Sequence, residues 1–320
     1  MTQGTPQAAP GSRRVLMLVH TGREAAREVA LACARTLGGY GIIVRVLAVE
    51  ARDLGIEDGV AAGLYPQMEL WPDERDASLD CELALVIGGD GTILRAAEIV
   101  RAHATPVLGV NLGHVGFLAE AEYDDVGSTI DAIVHRRYTA EDRLALDVRV
   151  FQDGHEMFRT FAVNEASVEK AARERMLEVV VAIDDRPLSR WGCDGVVCAT
   201  PTGSTAYNFS AGGPVVWPEV EALLMVPISA HALFARPLVA APTSVLAVEV
   251  IARQDGVGVL WCDGRRSFEL PPGARIEVTR GREPFRLVRL HQAPFTDRLV
   301  RKFDLPVEGW RGAASRSRDA

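Results

Sequence analysis

The sequence lacks a long apolar run, and this absence argues against a membrane protein. Its longest stretch without a charged residue, Gly195 to Pro218, contains five Thr or Ser, four Gly and three Pro, which is too polar for a membrane span. The polar amino-terminal segment is followed only by the short apolar run VLMLV, which is too short for a signal peptide. We therefore expect a cytoplasmic protein with no membrane partner.

The sequence also lacks a basic excess and any closely spaced pair of cysteines. Its 35 Lys and Arg stand against 43 Asp and Glu, a net charge of −8, whereas proteins that bind DNA or RNA normally carry positive charge. Nucleic acid is excluded as a partner on this basis. The five cysteines are odd in number and far apart, which predicts reduced thiols rather than a zinc site or a disulfide framework.

The 320 residues are enough for about two domains. Residues 13–138 alternate apolar strands with helices, a pattern that predicts a parallel sheet covered on both faces. The predicted strands are Arg14–Val19, Ile42–Leu47, Leu83–Ile87 and Pro106–Val110, and the predicted helices are Glu24–Leu37, Thr92–His103 and Asp124–Arg136. The acidic stretch Glu57–Asp80 is predicted to be a loop.

Residues 139–291 have a different pattern, with frequent short strands separated by turn residues. The predicted strands include Leu177–Ile183, Val196–Ala199, Val245–Ile251, Val257–Cys262 and Arg275–Thr279. Only Pro218–Met225 has a helical pattern in this half. Residues 292–311 form a C-terminal segment with one short helix, and residues 1–12 and 312–320 are predicted to be disordered tails. The fold class is thus α/β plus all-β.

The sequence Gly88-Gly89-Asp90-Gly91-Thr92 is the sharpest functional signal. It follows a predicted strand and begins a predicted helix, where glycines let the backbone approach phosphate and free helix N–H groups attract negative charge. A carboxylate there would repel phosphate, but it suits a residue that takes a proton from a hydroxyl being phosphorylated. The alternative is ordinary Asp-Gly turn chemistry, which better suits the strand-flanked pairs Asp153-Gly154 and Asp255-Gly256.

Two weaker signals lie in the β-rich half. Thr200–Gly213 is an uncharged segment rich in hydroxyl groups and glycine, and its central Tyr207 and Phe209 argue against the alternative of a flexible surface loop. Its polar groups suit the sugar and phosphates of a nucleotide. The pair Asn164-Glu165 could hold ribose hydroxyls or an adenine edge, but for the dipeptide taken alone a simple turn at the end of a strand is the better explanation.

Taken together, these motifs resemble the NAD kinase family. GGDGT, the Asn-Glu pair, the strand-flanked Asp194-Gly195, TPTGSTAY and SAGGP occur in that order, and the similarity continues through His231–Leu238 and Cys262–Arg266. It covers about residues 14–310 and is greatest to the actinobacterial type. The resemblance implies a Rossmann-like α/β domain followed by a β-sandwich-like domain, with the C-terminal segment returning toward the first domain.

The resemblance implies a kinase that phosphorylates the 2′-hydroxyl of the adenosine ribose of NAD, using ATP or inorganic polyphosphate. In this family the motif aspartate, here Asp90, is the proton acceptor and contacts NAD, and Gly91 lies beside the ligand. Phe117 matches a position beside the adenine. Arg95 and Arg175 fall where relatives often have polar or basic ligand contacts.

The second half supplies the other implied contacts to NAD. The Asn-Glu pair, Asn164 and Glu165, is implied to bind the adenosine end. The rest of the dinucleotide site is implied to consist of Asp194, Thr205, Ala206, Tyr207, Asn208, Phe209 and Ser210. Two positions depart from common family patterns: Gly192 replaces a basic residue of some relatives, and Arg265 replaces a glutamine.

The resemblance further implies Mg²⁺ or another divalent cation carried mainly by the nucleotide phosphates, with no protein side chain assigned as a ligand, and a homodimer or homotetramer. Three alternatives remain open. A lipid kinase or a sugar kinase could share the GGDG loop, and a nucleotide-binding sensor without enzymatic activity would not need Asp90.

Overall fold

The computed structural model describes residues 12–113, 116–122, 125–171, 176–251, 258–291 and 294–307. The predicted disordered tails, apart from Ser12, lie outside the described residues, as do Arg175 and the turn Asp255-Gly256. The chain divides into two compact units. The first unit comprises the residues up to Glu141 together with those from Arg286 onward, and the second unit is Asp142–Phe285.

The first unit is built on a mainly parallel sheet. Its strands are β1 (Arg14–Val19), β2 (Ile43–Leu47), β3 (Met68–Trp71), β4 (Leu83–Ile87), β5 (Val107–Asn111), β6 (Ala121–Glu122), β7 (Thr139–Arg143) and β20 (Phe285–Arg289). The order is β3-β2-β1-β4-β5-β20-β7, with β6 also paired to β5. The order of the first five strands is that of a Rossmann sheet, as predicted. The chain returns to the first unit through β20, which precedes the predicted C-terminal segment of residues 292–311 and pairs in parallel with β5 at Leu287 and Val107.

Helices flank this sheet. They are α1 (Glu24–Gly39), α2 (Ala48–Asp53), α3 (Glu57–Ala61), α4 (Asp90–Val100), α5 (Val126–Val134) and α7 (Phe295–Phe303). Of these, α1, α4 and α5 each bury an apolar stripe. The buried side chains of α1 recur at helical spacing, and the helix ends where Gly41 adopts a left-handed φ of 74°. The strand β4 is apolar throughout and fully buried, and β1 is apolar and buried after its first residue, Arg14.

The prediction of a loop over Glu57–Asp80 was wrong. This stretch contains α3 and the edge strand β3, which pairs with β2 from Met68 to Trp71. Both elements are short, and β3 is only half-buried, so neither leaves a clear hydrophobic period in the sequence.

The second unit is a sandwich of two antiparallel sheets. One has the order β15-β14-β13-β10-β17-β18 and the other β12-β11-β16-β19-β8-β9. The strands of the first are β10 (Glu165–Lys170), β13 (Gly195–Ala199), β14 (Leu223–Ile228), β15 (Leu238–Ala240), β17 (Gly258–Cys262) and β18 (Arg266–Leu270). Those of the second are β8 (Leu146–Gln152), β9 (His155–Ala162), β11 (Leu177–Ile183), β12 (Arg186–Cys193), β16 (Leu246–Val250) and β19 (Arg275–Arg280).

Alternating apolar side chains from both sheets form one core. Val148 and Val179 of one sheet share it with Val168 and Leu260 of the other, and the fully buried Trp191 lies among them. The β-sandwich-like prediction is confirmed. The prediction of a helix at Pro218–Met225 was wrong. The strand β14 begins at Leu223, its side chains are buried, and it pairs with β13 on one side and β15 on the other. Burial in the sheet overrides the helical propensity of this segment.

All five cysteines are free thiols, and four of them are buried. Burial raises the pKa of Cys198 to about 12 and that of Cys81 to about 11, as expected for structural thiols. Within the described part of the chain, no helix combines the length and the apolar character needed to span a bilayer.

Candidate functional site

The glycine-rich turn of the first unit leaves open space at the start of α4. Gly89 is the N-cap residue in an extended conformation, and no side chain caps the first turn. Gly88 is buried, and a Cβ atom there would lie 2.5 Å from Thr92 Oγ1. A Cβ atom at Gly89 or Gly91 would meet nothing within 4 Å. The turn therefore combines uncapped helix N–H groups with room for a ligand, as an anion site requires.

Asp90 is the first residue of α4, and its carboxylate is held by the loop that follows β5. Oδ2 accepts a hydrogen bond of 3.0 Å from the N–H of Phe117, and Oδ1 accepts one of 3.3 Å from the N–H of Leu118. A Cβ atom at Gly116 would lie 2.3 Å from Oδ1, so only glycine allows this approach. The carboxylate consequently has a fixed direction, whereas a solvated turn aspartate would rotate freely.

The other two first-unit residues of the predicted site contact protein side chains. The ring of Phe117 lies 5.9 Å from that of Phe295 and 5.8 Å from that of Phe303, both on α7. Arg95 forms ion pairs of 2.6 Å with Glu50 and 2.8 Å with Glu74. The structure thus uses Arg95 to link α4 to α2, and its contact with a ligand stays a prediction.

In the second unit, Asn164 and Glu165 are fixed by Asp263, a residue that was not among the predicted site residues. The Oδ1 atom of buried Asp263 accepts hydrogen bonds from the backbone N–H of Val163, Asn164 and Glu165 at 3.0, 2.7 and 3.3 Å. Arg266 donates to Oδ2 at 2.8 Å. The β17–β18 hairpin therefore holds the Asn-Glu pair in place through one carboxylate.

The segment Thr200–Gly213 packs directly on the Asn-Glu pair. The N–H of Thr200 donates to the carbonyl of Asn164 at 2.9 Å, and a Cβ atom at Gly203 would lie 2.0 Å from the same oxygen. The segment forms a 3-10 turn, Thr202–Thr205, and the short helix α6, Tyr207–Ser210. It is therefore an ordered element on the outer face of its sheet, and the alternative of a flexible loop was wrong.

Tyr207 lies near several of the predicted site carboxylates. Its backbone N–H donates to Glu165 Oε2 at 3.3 Å. Burial, and then the carboxylates of Glu169, Glu165 and Asp194, raise the pKa of its hydroxyl. Burial and the nearby Asp263 likewise raise the pKa of Glu165 to about 8. At neutral pH most Glu165 carboxyls are therefore protonated, and such a group both donates and accepts hydrogen bonds.

Asp194 lies at the far end of β10 from Glu165. The register pairs Glu165 with Ala199 and Glu169 with Gly195, and Asp194 lies opposite Lys170, so the two predicted site residues are separated by roughly 16 Å along the strand. Lys170 forms an ion pair of 2.5 Å with Asp194, and its hydrogen bond lowers the pKa of this carboxyl. A ligand that contacted both ends of β10 would have to be extended.

The remaining predicted residues differ in their accessibility. Phe209 and Ser210 are exposed, and Thr205 and Ala206 are half-buried. Asn208 is fully buried and braces the segment from within: its Nδ2 donates to the carbonyls of Ser204 and Pro214 at 3.2 and 3.1 Å.

The two departures from the family pattern have distinct surroundings. A Cβ atom at Gly192 would lie 2.5 Å from the sulfur of Met176, which fills the space that a longer residue would need. Arg265 is exposed at the β17–β18 turn.

Sequence reasoning missed four positions that the structure links to the predicted site. Asp263 and Lys170 hold site residues of the second unit, and Glu120 and Arg298 fix the loop that contacts Asp90. Only Asp263 had a signal, since it belongs to the CDGRR motif. The others are single charged residues whose partners lie far away in the chain.

A cavity of about 240 Å³ in the first unit adjoins the loop that contacts Asp90. It is lined by backbone and side chains of the loop, by Asn111 at the end of β5 and by α7. Among the described residues, no group of three or more His, Cys, Asp or Glu is placed to hold a metal ion.

Comparison with protein families gives two matches that together cover more than half of the chain. Residues 67–138 match the ATP-NAD kinase N-terminal domain, and residues 163–290 match the ATP-NAD kinase C-terminal domain. The chain belongs to the NAD kinase family. The resemblance inferred from the motifs is confirmed. The prediction of an NAD kinase, rather than a lipid kinase or a sugar kinase, is confirmed with it.

Individual NAD kinases are similar over nearly the whole chain. NAD kinase 2 of Streptomyces coelicolor is 59% identical over 94% of this chain and 97% of its own length. NAD kinase of Thermobifida fusca is 56% identical over 95% of this chain and 93% of its own. The crystal structure of yeast NADH kinase complexed with NADH, at 24% identity, covers 94% of each chain with a TM-score of 0.83, which shows a shared fold.

Proposed function

We propose that this member of the NAD kinase family transfers a phosphoryl group to the 2′-hydroxyl of the adenosine ribose of NAD, with Asp90 as the proton acceptor. The observation that carries this proposal is the held carboxylate of Asp90 at the open start of α4. A fixed carboxylate can accept the hydroxyl proton as the phosphoryl group moves. Gly88, Gly89, Gly91 and Thr92 supply the turn that approaches the phosphates of the donor.

We further propose that Asn164, Glu165 and the Thr205–Ser210 run bind NAD, with Asp194 contacting the same ligand. The support is the packing of Thr200–Gly213 on Asn164 and the anchoring of this pair by Asp263. Because Glu165 is mostly protonated at neutral pH, its carboxyl can donate to a ring nitrogen as well as accept from a ribose hydroxyl.

The phosphoryl donor is ATP or inorganic polyphosphate, and both bring a divalent cation such as Mg²⁺ on their own phosphates. Charge neutralisation by that cation is the chemistry it supplies. The protein contributes positioning: the α4 N–H groups face the donor, and Asp90 faces the acceptor hydroxyl. We expect the enzyme to act in the cytoplasm.

The direct test measures NADP formation from NAD with MgATP or magnesium polyphosphate, detected by an NADP-specific dehydrogenase. Asp90→Asn is expected to lower kcat by about 10²–10⁴-fold, because the amide cannot accept the proton. The variant also turns an NH₂ group toward a backbone N–H, so we expect a cost of about 1 kcal/mol in unfolding free energy. Assays well below the midpoint of thermal unfolding separate the two effects.

Asp58→Asn is the matched control, since Asp58 lies exposed in the first turn of α3 and its carboxylate faces solvent. It is expected to keep wild-type turnover. Near-wild-type turnover of Asp90→Asn would contradict the assigned role. If the folded wild-type protein bound NAD but formed no NADP with either donor, a nucleotide sensor would be the better description.

The resemblance also leads us to propose a homodimer or homotetramer. Several large apolar side chains of the second unit are exposed, among them Leu233, Phe234, Trp217 and Val220. Exposed apolar groups of this size are typical of surfaces that associate.

A further inference from the structure

We propose that Arg298, on the C-terminal helix α7, is a positioning residue that holds the Phe117–Leu118 peptide group against the carboxylate of Asp90. The inference rests on the proposed role of Asp90 as proton acceptor and extends it to a residue about 200 positions away in the chain. All the residues involved belong to the first unit.

One peptide group separates the guanidinium from the carboxylate. The carbonyl oxygen of Phe117 and the N–H of Leu118 belong to the same planar amide. Arg298 Nη1 donates to that oxygen at 3.1 Å, and that N–H donates to Asp90 Oδ1 at 3.3 Å. A cation on the carbonyl side polarises the amide and strengthens its N–H as a donor. Arg298 therefore sets both the direction and the strength of a hydrogen bond to Asp90.

The guanidinium holds the loop at two further points. Nη1 also donates to the carbonyl of Ala119 at 2.9 Å, and Nη2 donates to Glu120 Oε2 at 2.5 Å. Three bonds to residues 117, 119 and 120 use the planar fork of arginine, which a lysine ammonium cannot reproduce. The loop is thus held at three positions between Phe117 and Glu120.

Glu120 keeps Arg298 in this position. Its side chain is 2% exposed and forms a second ion pair of 2.7 Å with Arg289. Its Oε1 accepts from the backbone N–H of Leu290 at 3.1 Å and of His291 at 3.3 Å. A carboxylate buried with this many donors is held firmly. Leu290 and His291 together with α7 therefore hold the residues of the loop from Phe117 to Glu120.

Apolar contacts support the same arrangement. The Phe117 ring lies between those of Phe295 and Phe303, one near each end of α7, and Arg298 is on the helical segment between them. Loss of the guanidinium would leave these contacts in place but release the carbonyls of Phe117 and Ala119. We therefore expect the fold to persist and the amide geometry at Asp90 to relax.

The test is a double-mutant cycle on NADP formation, comparing wild type, Arg298→Gln, Asp90→Asn and the double variant. Arg298→Gln is expected to lower kcat on the order of 10²-fold, the scale of a small misplacement of a reacting group. In the Asp90→Asn background the same change is expected to cause no further loss, because Arg298 acts through that carboxylate. Arg298→Lys should fall between wild type and Arg298→Gln.

Lys302→Gln is the matched control: Lys302 is an exposed cation on the same helix, and its variant should keep wild-type kcat. An equal loss in both Asp90 backgrounds would overturn the proposal and leave Arg298 a purely structural role. If Arg298→Gln fails to fold, Glu120→Gln replaces it in the cycle with the same expected pattern. A folded wild-type protein that makes no NADP would instead count against the proposed function.

Discussion

Asp263 shows how one buried carboxylate can fix the conformation of the Asn-Glu pair that we propose binds NAD. Oδ1 accepts from three consecutive backbone amides, and Arg266 donates to Oδ2 while its guanidinium lies 4.1 Å from the centre of the Phe161 ring. Burial raises the pKa of Asp263, and these donors act against that rise. A buried charge is tolerated only when it is paired and hydrogen-bonded to this extent. These hydrogen bonds and the ion pair with Arg266 offset the free-energy cost of burying the carboxylate. As a consequence, the Asn-Glu pair has a fixed conformation.

Glu165 leads to a prediction about stability and pH. Its pKa is about 8 in the folded protein, against an ordinary value of 4.5. A carboxyl with a raised folded pKa contributes stability that is complete below pH 4.5 and is lost as the pH rises through 8. The unfolding free energy of the wild type should therefore fall between pH 6 and 9, and Glu165→Gln should remove much of that fall. Urea denaturation at both pH values measures the difference.

Glu249→Gln serves as the control for this prediction, because Glu249 is an exposed residue of β16 in the same unit. It should retain the wild-type dependence on pH. If Glu165→Gln and wild type lost stability equally between the two pH values, Glu165 would not be the titrating group.

At the scale of elements, α4 combines a proposed role in binding with a residue that weakens the helix. Gly91 is the second residue of the helix, is exposed, and has open space where a Cβ atom would be. Alanine there should raise the unfolding free energy by up to about 1 kcal/mol, since glycine is a poor helix former. The same methyl group should lower kcat/KM, because it enters the space proposed for the substrates. Thermal unfolding and the NADP assay measure the two effects.

The helix α5 offers a matched comparison for Gly91→Ala. Gly127 is likewise the second residue of its helix, is exposed and has open space at the Cβ position. Gly127→Ala should give a similar gain in stability with unchanged kcat/KM. A loss of activity in both variants, or in neither, would argue against a ligand at the start of α4.

The elements also differ in how far the sequence could predict them. β1 and β4 were predicted with their observed bounds, because continuous apolar runs between turn residues have few other interpretations. The segment from Pro218 to Met225 was predicted as a helix and contains the start of β14, because its partners β13 and β15 are set by the fold and not by its own residues.

At the scale of the whole molecule, the net charge of −8 bears on how anionic substrates bind. The overall charge does not attract NAD or ATP, so binding has to rest on local groups. The stretch from Gly195 to Pro218 contains no acidic residue, and the start of α4 presents uncapped N–H groups. Local neutrality and helix geometry suit a small anionic ligand, whereas a long nucleic acid would meet the acidic surface.

The proposed oligomer gives a prediction at the same scale. Sedimentation equilibrium should give two or four times the chain mass of 34.6 kDa, because exposed apolar side chains such as Leu233 gain by association. Leu233→Glu should shift the distribution toward smaller species. If the measured mass equalled that of a single chain at all micromolar concentrations, both the homodimer and the homotetramer would be contradicted.

The sequence by itself determined the family, the two fold classes and the motif residues, because these depend on hydrophobic period and on short local patterns. Only the tertiary structure decided what holds those residues. Asp263 reaches the Asn-Glu pair from about 100 positions away, and Arg298 reaches the loop at Asp90 from about 180. A hydrogen bond depends on atoms within about 3 Å in space, so long-range partners leave no periodic trace in the chain.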